Sequence, residues 1–179
     1  IKKNNLGFTI SANKIGDYIL APKYYLVNHD DFFQKLKESN ALVKIKELID
    51  KNYIQIDTGN EIGKLSYGTG KIPFIRTSDI SNWEIKVDPK HLVNESIYLK
   101  YKNKQDVREG DILMVRDGTY LIGTCAMVTR LNTKILYQSH MYKIRVNPNA
   151  PFDNYLFLAL LSSPFVQSQI KSQSFTQDI

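Results

Sequence analysis

The sequence predicts an α+β fold: a mixed, mainly antiparallel twisted sheet with hairpins, flanked by short helices. Two observations carry this. Short strand-like runs cluster in the middle of the chain, from Tyr53 to Val146, while helical patterns lie toward the ends. The runs also do not alternate with helices in the regular βαβ order that a parallel sheet needs.

Residues 1–28 are aromatic-rich and aperiodic, with Pro22 and Tyr24-Tyr25 inside, and read as an extended arm. Residues 30–38 place Phe32, Phe33 and Leu36 on one helical face, with Asp30 and Asp31 in the first turn. Residues 42–49 fit a short strand running into a helical turn. Residues 53–57 alternate and read as a strand. Gly59, Gly63, Gly68 and Gly70 mark a mobile loop. In residues 72–76, Pro73 confines the run to a strand start or an edge. Residues 94–102 read as a helix capped by Asn94, burying Ile97, Tyr98 and Tyr101. Residues 112–116 and 121–129 flank Asp117-Gly118, a pair suited to a tight hairpin turn. Residues 134–137 and 141–146 add two strands before Pro148, Asn149 and Pro151 break the sheet. An apolar helix over 154–161 follows, then Ser163-Pro164 as cap and first residue of another. Phe74 and Trp83 are expected in the core.

The chain has 179 residues, 42% hydrophobic and 23% charged, enough for one core without a covalent staple. A single cysteine, Cys125, excludes a disulfide framework and a multi-cysteine zinc site, and its apolar neighbours make it a buried small side chain. The longest apolar run, 155–161, is too short to span a bilayer. No signal peptide is recognisable, so a soluble, cytoplasmic protein with no membrane partner is expected. Ile1 is no initiator and residues 175–179 carry no terminal signature, which suggests part of a larger protein. The net charge of +6 favours a polyanionic partner, although solubility alone accounts for such a charge in many proteins.

Several segments imitate catalytic motifs. Gly63-Lys64-Leu65-Ser66-Tyr67-Gly68-Thr69-Gly70-Lys71 resembles a phosphate loop, but Thr69 follows Gly68 where a lysine is needed, and Ile72 follows Lys71 where a hydroxyl is needed. Asp79 or Asp57 with Glu84-Ile85-Lys86 imitates the acid, acid-x-lysine set of magnesium nucleases. Solvated charges on a turn and an edge strand explain those residues better. His29, His91 and His140 form no metal pattern. Asn149-Ala150-Pro151-Phe152 departs from the Asn-Pro-Pro-aromatic loop of amino-group methyltransferases at its second position. No catalytic, cofactor or metal residue is assigned.

Three polar groups on rigid elements suit DNA reading instead. Arg76, Thr77 and Ser78 leave one strand; Arg116, Asp117 and Tyr120 lie at the expected hairpin tip; Gln138 and His140 interrupt two strands. Arginine suits guanine, glutamine adenine, and aspartate the cytosine amino group. Lys100, Lys102 and Lys104 form a run suited to phosphates, which position without specifying. Each group also has a plain structural reading as turn chemistry, a connecting loop or a solvated helix end.

Taken in order, these segments resemble a known family. Residues 70–80, with Arg76-Thr77-Ser78-Asp79, look like the opening signature of target recognition domains. Such domains belong to the specificity subunits of type I restriction-modification systems and to related fused methyltransferases. Residues 107–119 resemble their hairpin segment, continued by Ile122-Gly123, and Ser139-His140 and the helical end through Ile179 also fit. Residues 1–41 look like the arm that follows an adenine methyltransferase domain, and 42–179 like the recognition domain itself.

The resemblance implies a target-recognition-domain fold and sequence-specific binding of double-stranded DNA. A methyltransferase domain or subunit, using S-adenosylmethionine, would methylate adenine where this domain directs it, and a restriction subunit is a further possible partner. The parent is then a fused adenine methyltransferase or a separate specificity subunit. A magnesium nuclease and a protein-interaction module docking through the terminal helices are the alternatives.

Overall fold

The computed structural model describes residues 2–4, 7–15, 22, 25, 31–39, 42–81, 83–86 and 88–172. The fold is α+β, with mainly antiparallel sheets and short helices, as the patterning predicts.

At the N-terminus β1 (Lys2–Asn4) pairs antiparallel with β2 (Gly7–Thr9), but Ala12–Lys14 form a 3-10 turn and residues 22 and 25 are helical, so the described part of the arm is only partly extended. Helix α1 spans Asp31–Glu38. The expected roles of Asp30, Phe32 and Phe33, and of residues 173–179, lie outside what is described. Residues 42–44 form no strand; helix α2 (Ile45–Asp50) takes the whole of that ambiguous segment's regular structure.

The central sheet has β3 (Ile54–Thr58), β8 (Ile112–Val115), β9 (Cys125–Met127) and β11 (Met141–Val146) in the order β3-β11-β8-β9, all antiparallel. A smaller sheet has β4 (Ile72–Ile75) between β7 (Leu92–Val93) and β10 (Leu136–Tyr137), with β10 parallel to β4. The two-stranded β5 (Ile80–Ser81) and β6 (Glu84–Ile85) lie against β9.

Alternation along β11 gives the central sheet two covered faces. Ile144 joins Ile54, Ile112, Cys125 and Met127 beneath helix α4 (Asn154–Ser162), which contributes Phe157, Leu158 and Leu161. On the other face Met141 and Leu113 meet Ile75, Ile80, Ile85 and Tyr137. A third cluster, Phe74, Val93 and Leu136, is covered by Ile97, Tyr98 and Tyr101 of helix α3 (Glu95–Gln105).

The expected caps form. Asn94 Oδ1 accepts the Ile97 N–H at 3.0 Å, and Ser163 Oγ accepts the Val166 N–H at 3.3 Å at the start of α5 (Pro164–Ser172). Helix α3 runs a turn beyond the expected end at residue 102, because Gln105 is buried rather than solvated.

Four expectations need correction. Trp83 is half-exposed (50%) with φ of 68°, at the turn between β5 and β6, whereas Phe74 is fully buried. Asp117-Gly118 makes no two-residue hairpin: residues 116–124 form a longer loop between β8 and β9, because Arg116 and Asp117 turn toward β11. Pro73 lies in a central strand. Its missing N–H is tolerated because β10 pairs with β4 only at Phe74 and Ile75. The glycine-rich loop is clamped at both ends. A Cβ on Gly59 would lie 2.2 Å from the Gln138 carbonyl oxygen, and one on Gly70 would lie 2.3 Å from that of Val93.

Among the described residues no helix is long and apolar enough to cross a membrane.

Candidate nucleic-acid interface

The chain passes from the small sheet to the central one at residues 138–140, between β10 and β11. Gln138 N–H donates to the Ile75 carbonyl (3.0 Å) and Arg116 N–H to the His140 carbonyl (2.8 Å), so the ends of β4 and β8 are bonded to the same bend. Four strand ends therefore meet along one edge.

Side chains from those ends form a row. Arg76 Nε donates to Gln138 Oε1 (3.4 Å), and its Nη1 is 3.4 Å from His91 Nε2. His140 Nδ1 is hydrogen-bonded to Asp117 Oδ1, whose Oδ2 accepts from Arg116 Nε at 2.5 Å. The Arg116 guanidinium lies 5.7 Å from the Tyr142 ring centroid, a cation–π distance. Burial pushes the Asp117 carboxyl up, but the bonds from His140 and Arg116 prevail and hold it below its ordinary value of 3.8. Burial, then the Arg76 charge, lowers the His91 imidazole.

The expected contact residues divide into two groups. Arg76 touches Gln138, and Asp117 touches both His140 and Arg116, the two sets being joined by the backbone of the 138–140 bend. Thr77 is half-buried and Ser78 exposed on the turn directly after Arg76, and Tyr120 is largely exposed (83%) on the 116–124 loop. Lys100, Lys102 and Lys104 are exposed on α3, which packs against β10 and not in the row.

Two further residues, neither of them a candidate DNA contact by sequence, join this edge. His91 precedes β7, and Glu61 belongs to the clamped loop, where its Oε1 accepts from Ser139 Oγ and lies 3.9 Å from His140 Nε2. Neither stands in a local pattern. Only tertiary pairing brings them to the edge.

Behind the row a buried charge network ties α3 to the central sheet. Lys143, 1% exposed, donates to the Gln105 carbonyl at 2.5 Å and pairs with Asp57 at 3.2 Å. Arg145 forks onto Asp111 (2.7 and 2.8 Å) and reaches Asp106 at 2.9 Å. Those bonds, with Asp111 first, hold the guanidinium charged more firmly than usual despite its burial. Asp57 thus serves Lys143, and Asp79 accepts the Arg76 N–H at 3.0 Å, so both candidates for the first acid of the nuclease-like set are engaged structurally. Cys125 is buried, which pushes its thiol up to about 12.

The strand ends thus present mixed donors and acceptors along one edge. The chain belongs to the family of type I restriction modification DNA specificity domains, whose model matches residues 37–179. No curated protein matches it.

Among solved structures, the HsdS subunit of Thermoanaerobacter tengcongensis is similar at 14% identity and a TM-score of 0.49 over 70% of this chain. The S subunit of a type I restriction-modification system from M. genitalium shares 14% identity, with a TM-score of 0.39 over 84%. A chain described in terms of complex assembly and conformational transition of the type I R-M system shares 13%, with a TM-score of 0.46 over 69%. This chain spans 28%, 36% and 27% of the lengths of those chains respectively.

Proposed function

We propose that the edge running from Arg76 through Gln138 and His140 to Arg116, Asp117 and Tyr120 reads base edges in the major groove of duplex DNA. Thr77 and Ser78 extend it. The observation that carries this is the meeting of four strand ends at residues 138–140, which sets Arg76 against Gln138 and both His140 and Arg116 against Asp117. Pre-organised side chains lose little freedom on binding, which favours discrimination between sequences. Lys100, Lys102 and Lys104 sit on a separate helix, so they would neutralise phosphates without contributing sequence information.

In this reading the domain directs adenine methylation by a methyltransferase domain or subunit, within an assembly that can include a restriction subunit. S-adenosylmethionine would be bound by that methyltransferase. The exposed Tyr155, Leu156 and Leu160 on α4 support a docking role for the terminal helices toward the same assembly.

The test uses the full-length protein. Replacing Arg116 by Ala should relax or abolish site choice, at a cost of about 1–3 kcal/mol in discrimination. Replacing Lys102 by Ala should weaken all duplexes alike and reduce the salt slope by about 1. Unchanged methylation patterns in the Arg116 variant would place the reading surface elsewhere.

A further inference from the structure

The edge carries two carboxylates, and only Asp117 has been given a part in reading. Both Asp117 oxygens are taken, Oδ1 by His140 and Oδ2 by Arg116. Glu61 differs. Its Oε1 accepts from Ser139, while Oε2 makes no hydrogen bond to any described residue and 58% of the side chain is exposed.

The backbone beneath Glu61 is fixed. Asn60 N–H donates to the Tyr137 carbonyl at 3.2 Å, Gly59 N–H to that of Met141 at 3.3 Å, and Gly59 has no room for a Cβ. The carboxylate is thus anchored through Oε1 beside His140, whose two ring nitrogens face Asp117 and Glu61, and Oε2 remains as an acceptor.

A carboxylate on a surface that meets duplex DNA repels phosphates and the acceptor atoms of guanine and thymine in the major groove. The donors available there are the exocyclic amino groups of cytosine (N4) and adenine (N6). We propose that Glu61 is a specificity-determining residue that accepts such an amino group. Asp117 is then a positioning residue that orients His140 and Arg116. The inference rests on the DNA-reading assignment above. Glu61 selects partly by exclusion, because a wrong base leaves two acceptors facing each other.

The experiment uses the full-length protein and the duplex it selects from a random pool. In matched duplexes one adenine at a time becomes purine, or one cytosine becomes 2-pyrimidinone, so that only the amino group is lost. Wild type should lose affinity about 10-fold at one such position. Glu61→Ala should lose about as much on the intact duplex and nothing further on the altered one, the signature of a direct pair. Whether the sensitive position is adenine or cytosine identifies the base.

Glu61→Gln keeps an oxygen for Ser139 but loses the charge and gains a donor, so it should admit guanine or thymine at that position. A Glu61→Gln protein with wild-type preferences would mean that Glu61 only pins the bend, and would overturn the proposal. So would a Glu61→Ala protein that stays sensitive to every amino deletion. Arg116→Ala is the control: if it alone relaxes site choice, only the Glu61 assignment falls. If neither residue matters, the reading surface itself is misplaced.

Discussion

Arg76 and Gln138 share a hydrogen bond across two strand ends, and Asp117 bonds both His140 and Arg116 beside the same bend. Arg76, Gln138, Arg116 and His140 stood out as polar groups ending apolar runs, and they do come together on one edge. Trp83 was expected in the core because large aromatics usually are, yet its left-handed backbone at a hairpin turn leaves it half-exposed. Lys143 escaped notice for the opposite reason. A charged residue in an alternating strand reads as solvent-facing, and here it is almost fully buried against Asp57 and the end of α3. Gly59 was legible as loop chemistry, but its actual task is close approach. Gly59→Ala should therefore force the backbone at residues 137–138 to shift, costing about 1–3 kcal/mol by overpacking. Urea unfolding measures the loss, and an unchanged midpoint would show that the bend yields freely. Because the same bend carries Gln138 and His140, discrimination between DNA sequences should fall in the folded variant as well.

Among the elements, local signals were legible and long-range pairing was not. The 141–146 strand, the Asn94 cap and the Ser163-Pro164 start appear where side-chain alternation and capping chemistry put them. The parallel pairing of β10 with β4 joins segments far apart in sequence, and nothing local encodes it. The same holds for the loop after β8, which Asp117-Gly118 suggested would be a tight turn. Turn propensity yields there to the pairing of Asp117 with His140. Helix α3 shows how one buried polar side chain can set an element's place. Gln105 Nε2 donates to the Tyr137 carbonyl and its Oε1 accepts the Tyr137 N–H, each at 2.9 Å, so one amide completes an edge of β10. Replacing Gln105 by Ala would orphan the Tyr137 N–H in the core, while the Tyr137 carbonyl keeps the Asn60 N–H. The expected destabilisation is about 1–3 kcal/mol, the cost of one unmade buried bond. Thermal unfolding of Gln105→Ala beside the surface control Asn103→Ala measures it, and equal melting temperatures for the two would refute the clamp.

At the scale of the whole molecule, net charge and local charge do different things. The chain is +6 overall, yet its edge is a near-balanced set in which Asp117 and Glu61 answer Arg76 and Arg116. In the proposed reading, binding a polyanion and choosing among sequences would fall to different surfaces, joined through Gln105, Lys143 and the Arg145 network. That network makes cohesion pH-dependent in a definite direction. Hydrogen bonds from Arg108 and then Arg145 hold Asp106 down to about 2, against an ordinary value of 3.8. A carboxyl with a depressed folded-state pKa contributes stability that is complete above the unfolded value and is lost as pH falls through the folded one. The Asp106 contribution should be intact at pH 5 and decline between about pH 4 and pH 2, with Asp117 adding to the same trend. Asp106 lies at the C-terminal cap of α3 with φ of 40°, a conformation asparagine tolerates, so Asp106→Asn removes the charge without straining the backbone. Because the Asp106 side chain is 42% exposed, solvent screening keeps the effect modest. Urea midpoints measured from pH 5 to pH 2 should fall more steeply for wild type than for Asp106→Asn. Parallel curves would mean that α3 is held to the central sheet by packing and the Gln105 and Lys143 bonds alone.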